Sequence, residues 1–166
     1  VITYGKPASN TLYDGICGKE YSRHVYELNR MCRLDNFDQP LSQFVSATLK
    51  MVAKNDWIIV SYADSGAGHN GYIYQATNFL YTGATKQRSD PYAEGGHHRH
   101  VASGDRFRQV RTSKHRYVYF ATGNKALKKA WAKALNYPLL PYPKSKNTNY
   151  VLGEILKPKI IDTWEK

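Results

Sequence analysis

The sequence predicts an α/β (α+β) fold, a single domain with one mixed central sheet flanked by helices. Three observations carry this. Two near-continuous apolar runs of strand length, "WIIVSYA" at 57–63 and "RYVYFAT" at 116–122, suit central strands covered on both faces. An amphipathic helical pattern precedes the first run and another follows the second, so helices alternate with buried strands. At 166 residues and 42% hydrophobic content the chain is long enough to bury a core without staples. The domain is bounded at 1–146, with 147–166 a loosely ordered C-terminal tail that packs on it or extends from it.

In chain order, "VITYG" at 1–5 is β-branched and aromatic and predicts an opening strand, with a turn at Gly5–Pro7. Residues 8–23 are polar and contain glycine, which predicts a loop. Residues 24–34 alternate as a strand would, yet periodicity alone leaves strand and helix open. Leu41, Phe44, Val45, Thr48, Leu49 and Val52 recur on one helical face, Pro40 suits the first turn, and Asn55 ends the helix. After the second apolar run, Asn124 predicts a helix cap. Leu127, Ala130, Trp131, Ala134 and Leu135 share the apolar face of that helix, opposite Lys125, Lys128, Lys129 and Lys133. "YPLLPYPK" at 137–144 reads as extended, because each proline disfavours helix at the preceding residue.

The charge points to a polyanion. The chain carries 24 Lys and Arg against 13 acids, a net +11. Residues 86–116 hold eight of these cations and four of the six histidines, and 125–146 holds six lysines and no acid. Fourteen tyrosines are interleaved with this charge, and aromatic faces beside cations suit unstacked bases. The expected DNA-holding residues are therefore His98, Arg99, His100, Arg106, Arg108, Arg111, Lys114 and Arg116 of the 86–116 loop, with Lys128 and Lys129. DNA is the expected partner, double-stranded or locally unpaired.

Other classes are excluded by missing motifs. No run of about 18 apolar residues provides a membrane span, no signal peptide is read, and the expected location is cytoplasmic. Cys17 and Cys32 fit no zinc spacing and read as two reduced thiols. There is no zinc-deaminase signature and no Gly-x-x-x-x-Gly-Lys-Ser/Thr loop. The cluster "GGHHRH" at 95–100 offers imidazoles for a metal, though its basic, glycine-flanked setting suits a DNA-touching loop better.

The stretch "SYADSGAGHNGYIYQATNFLYTG" at 61–83 supports two readings. "GYIYQATNFLYTG" resembles the paired strands that open GIY-YIG nucleases, with Arg88 and Glu94 available as the arginine and the metal-binding glutamate. Alternatively, a buried strand ending at Asp64, then "SGAGHNG", then "YIYQATN" is strand, loop and helix. Gly66, Gly68, Asn70 and Gly71 would then let backbone N–H groups approach a phosphorylated carrier at the helix start. That arrangement, and the element order around it, resembles the GNAT acyltransferases. In that fold the strand at 79–83 splays from its neighbour. The resemblance implies acetyl-CoA or another acyl or aminoacyl carrier as donor. The Gln/Arg-x-x-Gly-x-Gly/Ala pattern itself is absent.

Five blocks narrow the resemblance: "ELNRM" (27–31), "WIIVSYAD" (57–64), "GHNGYIYQATNFLYTG" (68–83), "SKHRYVYF" (113–120) and "NYPLLPYPK" (136–144). Together they resemble the Mom family of Mu-type phage DNA modification enzymes. The resemblance implies conversion of adenine N6 to a carbamoylmethyl (methylcarbamoyl) group, which protects phage DNA from host restriction. It also implies active-site residues at Arg30, Asp64 and Tyr74, a serine at or near Ser42, and an iron requirement whose ligands are unknown. Adenine N6 is a poor nucleophile, so chemistry there needs a base and a stabilised leaving group. Asp64 or His69 is the candidate base, Tyr74 the candidate proton donor, and Arg30 a bidentate holder of phosphate or carboxylate. A nuclease and a non-catalytic basic DNA-binding protein remain the alternative readings.

Overall fold

The structure is a computed structural model that describes residues 1–34, 38–92, 106–144, 146, 157 and 159–164. Among these residues a five-stranded mixed sheet runs in the order β1-β2-β3-β7-β4. Its strands are β1 (Ile2–Gly5), β2 (Val25–Met31), β3 (Trp57–Asp64), β4 (Leu80–Ala84) and β7 (Lys114–Ala121). β2 and β3 are parallel and joined by the helix α2 (Leu41–Val52), while β1, β7 and β4 pair antiparallel with their neighbours. The fold class is the expected one, a mixed sheet with helices on it.

The apolar run of β3 is explained by its two covered faces. Ile59 and Ala63 join Leu28, Val45, Leu49, Tyr74 and Phe79 beneath α2 and the short helix α3 (Tyr72–Ala76). Ile58 and Val60 point the other way and meet Ile16, Cys17, Val118, Phe120 and Trp131. These come from α1 (Asn10–Cys17), β7 and α4 (Lys125–Ala134). A strand with period-two alternation into two separate cores has no polar face, so its sequence is uniformly apolar. α4 starts as predicted: Asn124 Oδ1 accepts from the N–H groups of Ala126 at 2.9 Å and Leu127 at 3.2 Å.

Two expectations need correction. Residues 8–23 are not a loop: α1 and a 3-10 segment (Lys19–His24) occupy them, with Ile16 and Cys17 buried. Eight residues are too few for a 3.6-residue repeat to declare itself in sequence. Within the basic 86–116 segment, β5 (Arg88–Pro91) and β6 (Phe107–Arg111) form a second, antiparallel sheet with β8 (Ile160–Asp162) from the C-terminal tail. The strand after the glycine loop does not lie beside β3, because β7 is hydrogen-bonded between β3 and β4. Residues 72–76 are helical, as the strand, loop and helix reading expects, so "GYIY" and "YTG" do not form the hairpin that a GIY-YIG nuclease opens with.

Candidate functional site

In a parallel βαβ unit, the connections at the carboxyl ends of the strands open a crevice. Here β2 and β3 bring Arg30, the first turn of α2 with Ser42, and Asp64 to that one edge of the sheet. Arg30 is exposed and Ser42 half-buried.

Asp64 is held from two directions. Its Oδ1 accepts from Gly66 N at 2.9 Å and from Thr112 Oγ1 at 2.5 Å. The first bond makes Asp64 the cap of a 3-10 turn, Ser65–Ala67. The second ties it to the turn between β6 and β7, and so to the small sheet. Lys114 Nζ stands 3.8 Å from Oδ2. The side chain stays 37% exposed, enough for a ligand to reach Oδ2.

The surface in front of Asp64 is a cleft of about 520 Å³ between the two sheets. Asp64 and Gly66 line it together with Arg111, Lys114, Lys157 and Lys159. Four cations thus face one carboxylate. Sequence reasoning missed the two C-terminal lysines, Thr112 and Gln109, which also lines the cleft. "KPKIID" at 157–162 carried the only available signal, a short apolar strand pattern behind two lysines.

The glycine loop is used differently from a simple phosphate cradle. Gly66 N, Gly68 N and His69 N bond within the loop, to Asp64 Oδ1, Ser65 O and Asp64 O. A Cβ on Gly66 would come within 2.3 Å of Thr112, and one on Gly71 within 2.3 Å of the Tyr117 ring. Gly71 also adopts φ +79°, a left-handed conformation natural to glycine. The Tyr117 hydroxyl and Gln75 Nε2 both donate to the buried loop residue Asn70 at its carbonyl oxygen. The glycines therefore let the loop pack against its own chain, and the cleft's charge comes from side chains.

Tyr74 lies elsewhere. It is only 5% exposed, packed against Phe79 and Tyr117 with ring centroids 5.3 and 5.1 Å away. Ser61 Oγ is 2.8 Å from both the Leu28 carbonyl oxygen and the Tyr74 hydroxyl. The carbonyl can only accept, so it takes the serine proton, and Tyr74 acts as donor to the serine oxygen. His69 is half-buried and, like Tyr74, Arg30 and Ser42, does not line the cleft.

Burial pushes the Tyr74 hydroxyl up to about 12, and does the same to Tyr62, Tyr117 and the Cys17 thiol. The folded chain thus keeps these protons to a higher pH than the unfolded chain, whose tyrosines titrate near 10.0 and cysteine near 9.0. Stability should be insensitive to these groups below about pH 9 and fall as pH rises from there towards 12. The urea midpoint measured against pH checks this; a midpoint unchanged up to pH 12 would contradict it.

The basic residues expected to hold DNA divide into three groups. Arg111 and Lys114 line the cleft, Arg111 with its Nε 2.8 Å from Asp90 Oδ2. Arg106, Arg108 and Arg116 brace the fold. Arg106 pairs with Asp162, Arg108 bonds Ser89, and Arg116 bonds Thr82 while lying 3.3 Å over the Tyr137 ring. Lys128 and Lys129 are exposed on α4, away from the cleft. His98, Arg99 and His100 lie outside the described residues. Among the described residues no three His, Cys, Asp or Glu side chains gather as a metal centre.

Fold and cleft together define a mixed α/β protein with a cleft that sets four cationic side chains around one partly exposed carboxylate. The model of the Mom protein family matches residues 1–144, and the chain belongs to that family. At the level of its family it is a phage DNA-modification protein, which makes DNA its substrate and its action enzymatic. No curated protein matches the chain. No described helix is long and apolar enough to cross a membrane.

Proposed function

We propose that the chain transfers a carbamoylmethyl group to N6 of adenine in DNA, with Asp64 as the base. One observation carries the reading. Asp64 is fixed through Oδ1 and presents Oδ2 to a cleft lined by four cations. The cations neutralise the DNA backbone and the phosphates of the donor's carrier. An adenine unstacked from the duplex enters beside Asp64, which removes the N6 proton as N6 bonds to the methylene carbon of the carbamoylmethyl group. The carrier leaves with the bonding electrons, stabilised by Lys114. The donor in this reading is a carrier-bound carbamoylmethyl unit whose methylene–carrier bond breaks in the step; plain acyl transfer from acetyl-CoA would leave N6-acetyladenine instead. Arg30, at the same sheet edge, holds a phosphate or carboxylate. Tyr74 acts through position, linking α3 to β3 by its bond to Ser61.

Nucleoside mass spectrometry of DNA from cells expressing the chain tests the proposal. A deoxyadenosine heavier by one carbamoylmethyl group is expected. Intact, unmodified DNA with binding retained would favour the non-catalytic reading instead.

A further inference from the structure

The cleft at Asp64 is not built wholly from the part of the chain that matches the family. Lys157 and Lys159 lie beyond residue 144, yet they line it opposite Arg111 and Lys114. Strand pairing secures the placement of Lys159. Val110 N donates to the Lys159 carbonyl at 2.8 Å, and β8 continues the ladder, with Ile160, Ile161 and Asp162 opposite Gln109, Arg108 and Phe107.

Beyond the lysines the strand is clamped again. Asp162 pairs with Arg106 at 2.5 Å, Thr163 N donates to the Arg106 carbonyl at 2.9 Å, and the Arg106 guanidinium lies 5.7 Å from the Trp164 ring. Both lysines are exposed. Arg111 already has Asp90 as a partner and Lys114 has Asp64, whereas no acid within 4.0 Å accompanies either C-terminal lysine among the described residues. Two exposed ammonium groups with no described acid beside them, on one wall of a cleft, suit a doubly charged or repeated phosphate.

We propose that the C-terminal strand completes a phosphate-binding subsite of this cleft, with Lys157 and Lys159 as its contact residues. The inference rests on the reading that the Asp64 cleft is where DNA is handled. Phosphate of this kind has two sources, the DNA backbone and the diphosphate of a donor's carrier.

The test uses the full chain and the double variant Lys157→Ala/Lys159→Ala. A second double variant, Lys50→Ala/Lys54→Ala, removes the same charge from the exposed end of α2 and the turn after it. Fluorescence anisotropy of a labelled DNA duplex across salt concentrations reads one source. If backbone phosphates occupy the subsite, the slope of log K against log salt falls by about 2, near 0.9 per lost contact. Titration calorimetry with inorganic pyrophosphate reads the other source. If carrier phosphates occupy it, the duplex slope stands and pyrophosphate binding weakens about tenfold or more. An unchanged duplex slope with pyrophosphate binding absent or unaffected overturns the proposal, as does an equal effect from the α2 pair. Neither readout needs modified adenine, so a wild-type chain that binds but makes no product sinks the proposed chemistry and leaves the subsite standing.

Discussion

Asp64→Asn is expected to reduce the yield of modified deoxyadenosine by about 100-fold to 10,000-fold, the range for loss of a positioned base. The substitution is chosen because asparagine keeps an oxygen that can accept from Gly66 N and Thr112 Oγ1. The 3-10 turn at 65–67 and its tie to the β6–β7 turn therefore survive, and folding is separated from chemistry. DNA binding should hold or tighten slightly, since one negative charge leaves a cleft that otherwise carries four cations. Product measured by nucleoside mass spectrometry, alongside binding of the same DNA, checks both halves. Full activity in Asp64→Asn would remove Asp64 from the mechanism and reduce it to a cap.

The second large effect lies in the core beneath α4. Trp131 is 0% exposed, sits 5.9 Å from Phe120 and 5.5 Å from His24, centroid to centroid, and accepts at its carbonyl from the Cys17 thiol. With Leu127 and Ala134 it packs α4 against the core shared with β7 and α1. Trp131→Ala should cost about 3–5 kcal/mol, the transfer of a large side chain plus the cavity left behind. Its indole N–H has no partner among the described residues, so no hydrogen bond is lost in the change. Trp131→Phe, which refills much of the space and removes that unmet donor, should cost well under half as much. Urea unfolding of the two variants gives the comparison; equal losses would show that packing volume is not what Trp131 supplies.

Much of the frame was legible because its signals are local. The helix at 41–52 repeats its apolar residues over three turns, and the runs at 57–60 and 117–121 are apolar because both faces of those strand segments are covered. Asn124 announces its helix by the chemistry of the cap. What stayed hidden depends on partners far away in sequence. Nothing around Leu80 says that β7 will insert between it and β3, and nothing around Arg108 says that its guanidinium will bond Ser89.

The site divides in the same way. Asp64 stood out as the end of a buried strand before a glycine loop, and it does line the cleft. Tyr74 stood out for the same neighbourhood. Its burial is decided by Ser61, Phe79 and Tyr117, whose convergence no local pattern shows. The glycines were legible as necessary, but the reason for them was not. Gly66 and Gly71 admit Thr112 and Tyr117, residues more than forty positions away.

The proposed chemistry and the proposed subsite both require DNA to enter the Asp64 cleft. Photo-cross-linking of a duplex carrying a photoreactive base analogue at the target position, followed by peptide mapping, tests it most directly. The account predicts adducts in the peptides spanning 64–71 and 109–114, which supply the floor and one wall of the cleft. Adducts confined to the lysine face of α4, with none at the cleft, would contradict it.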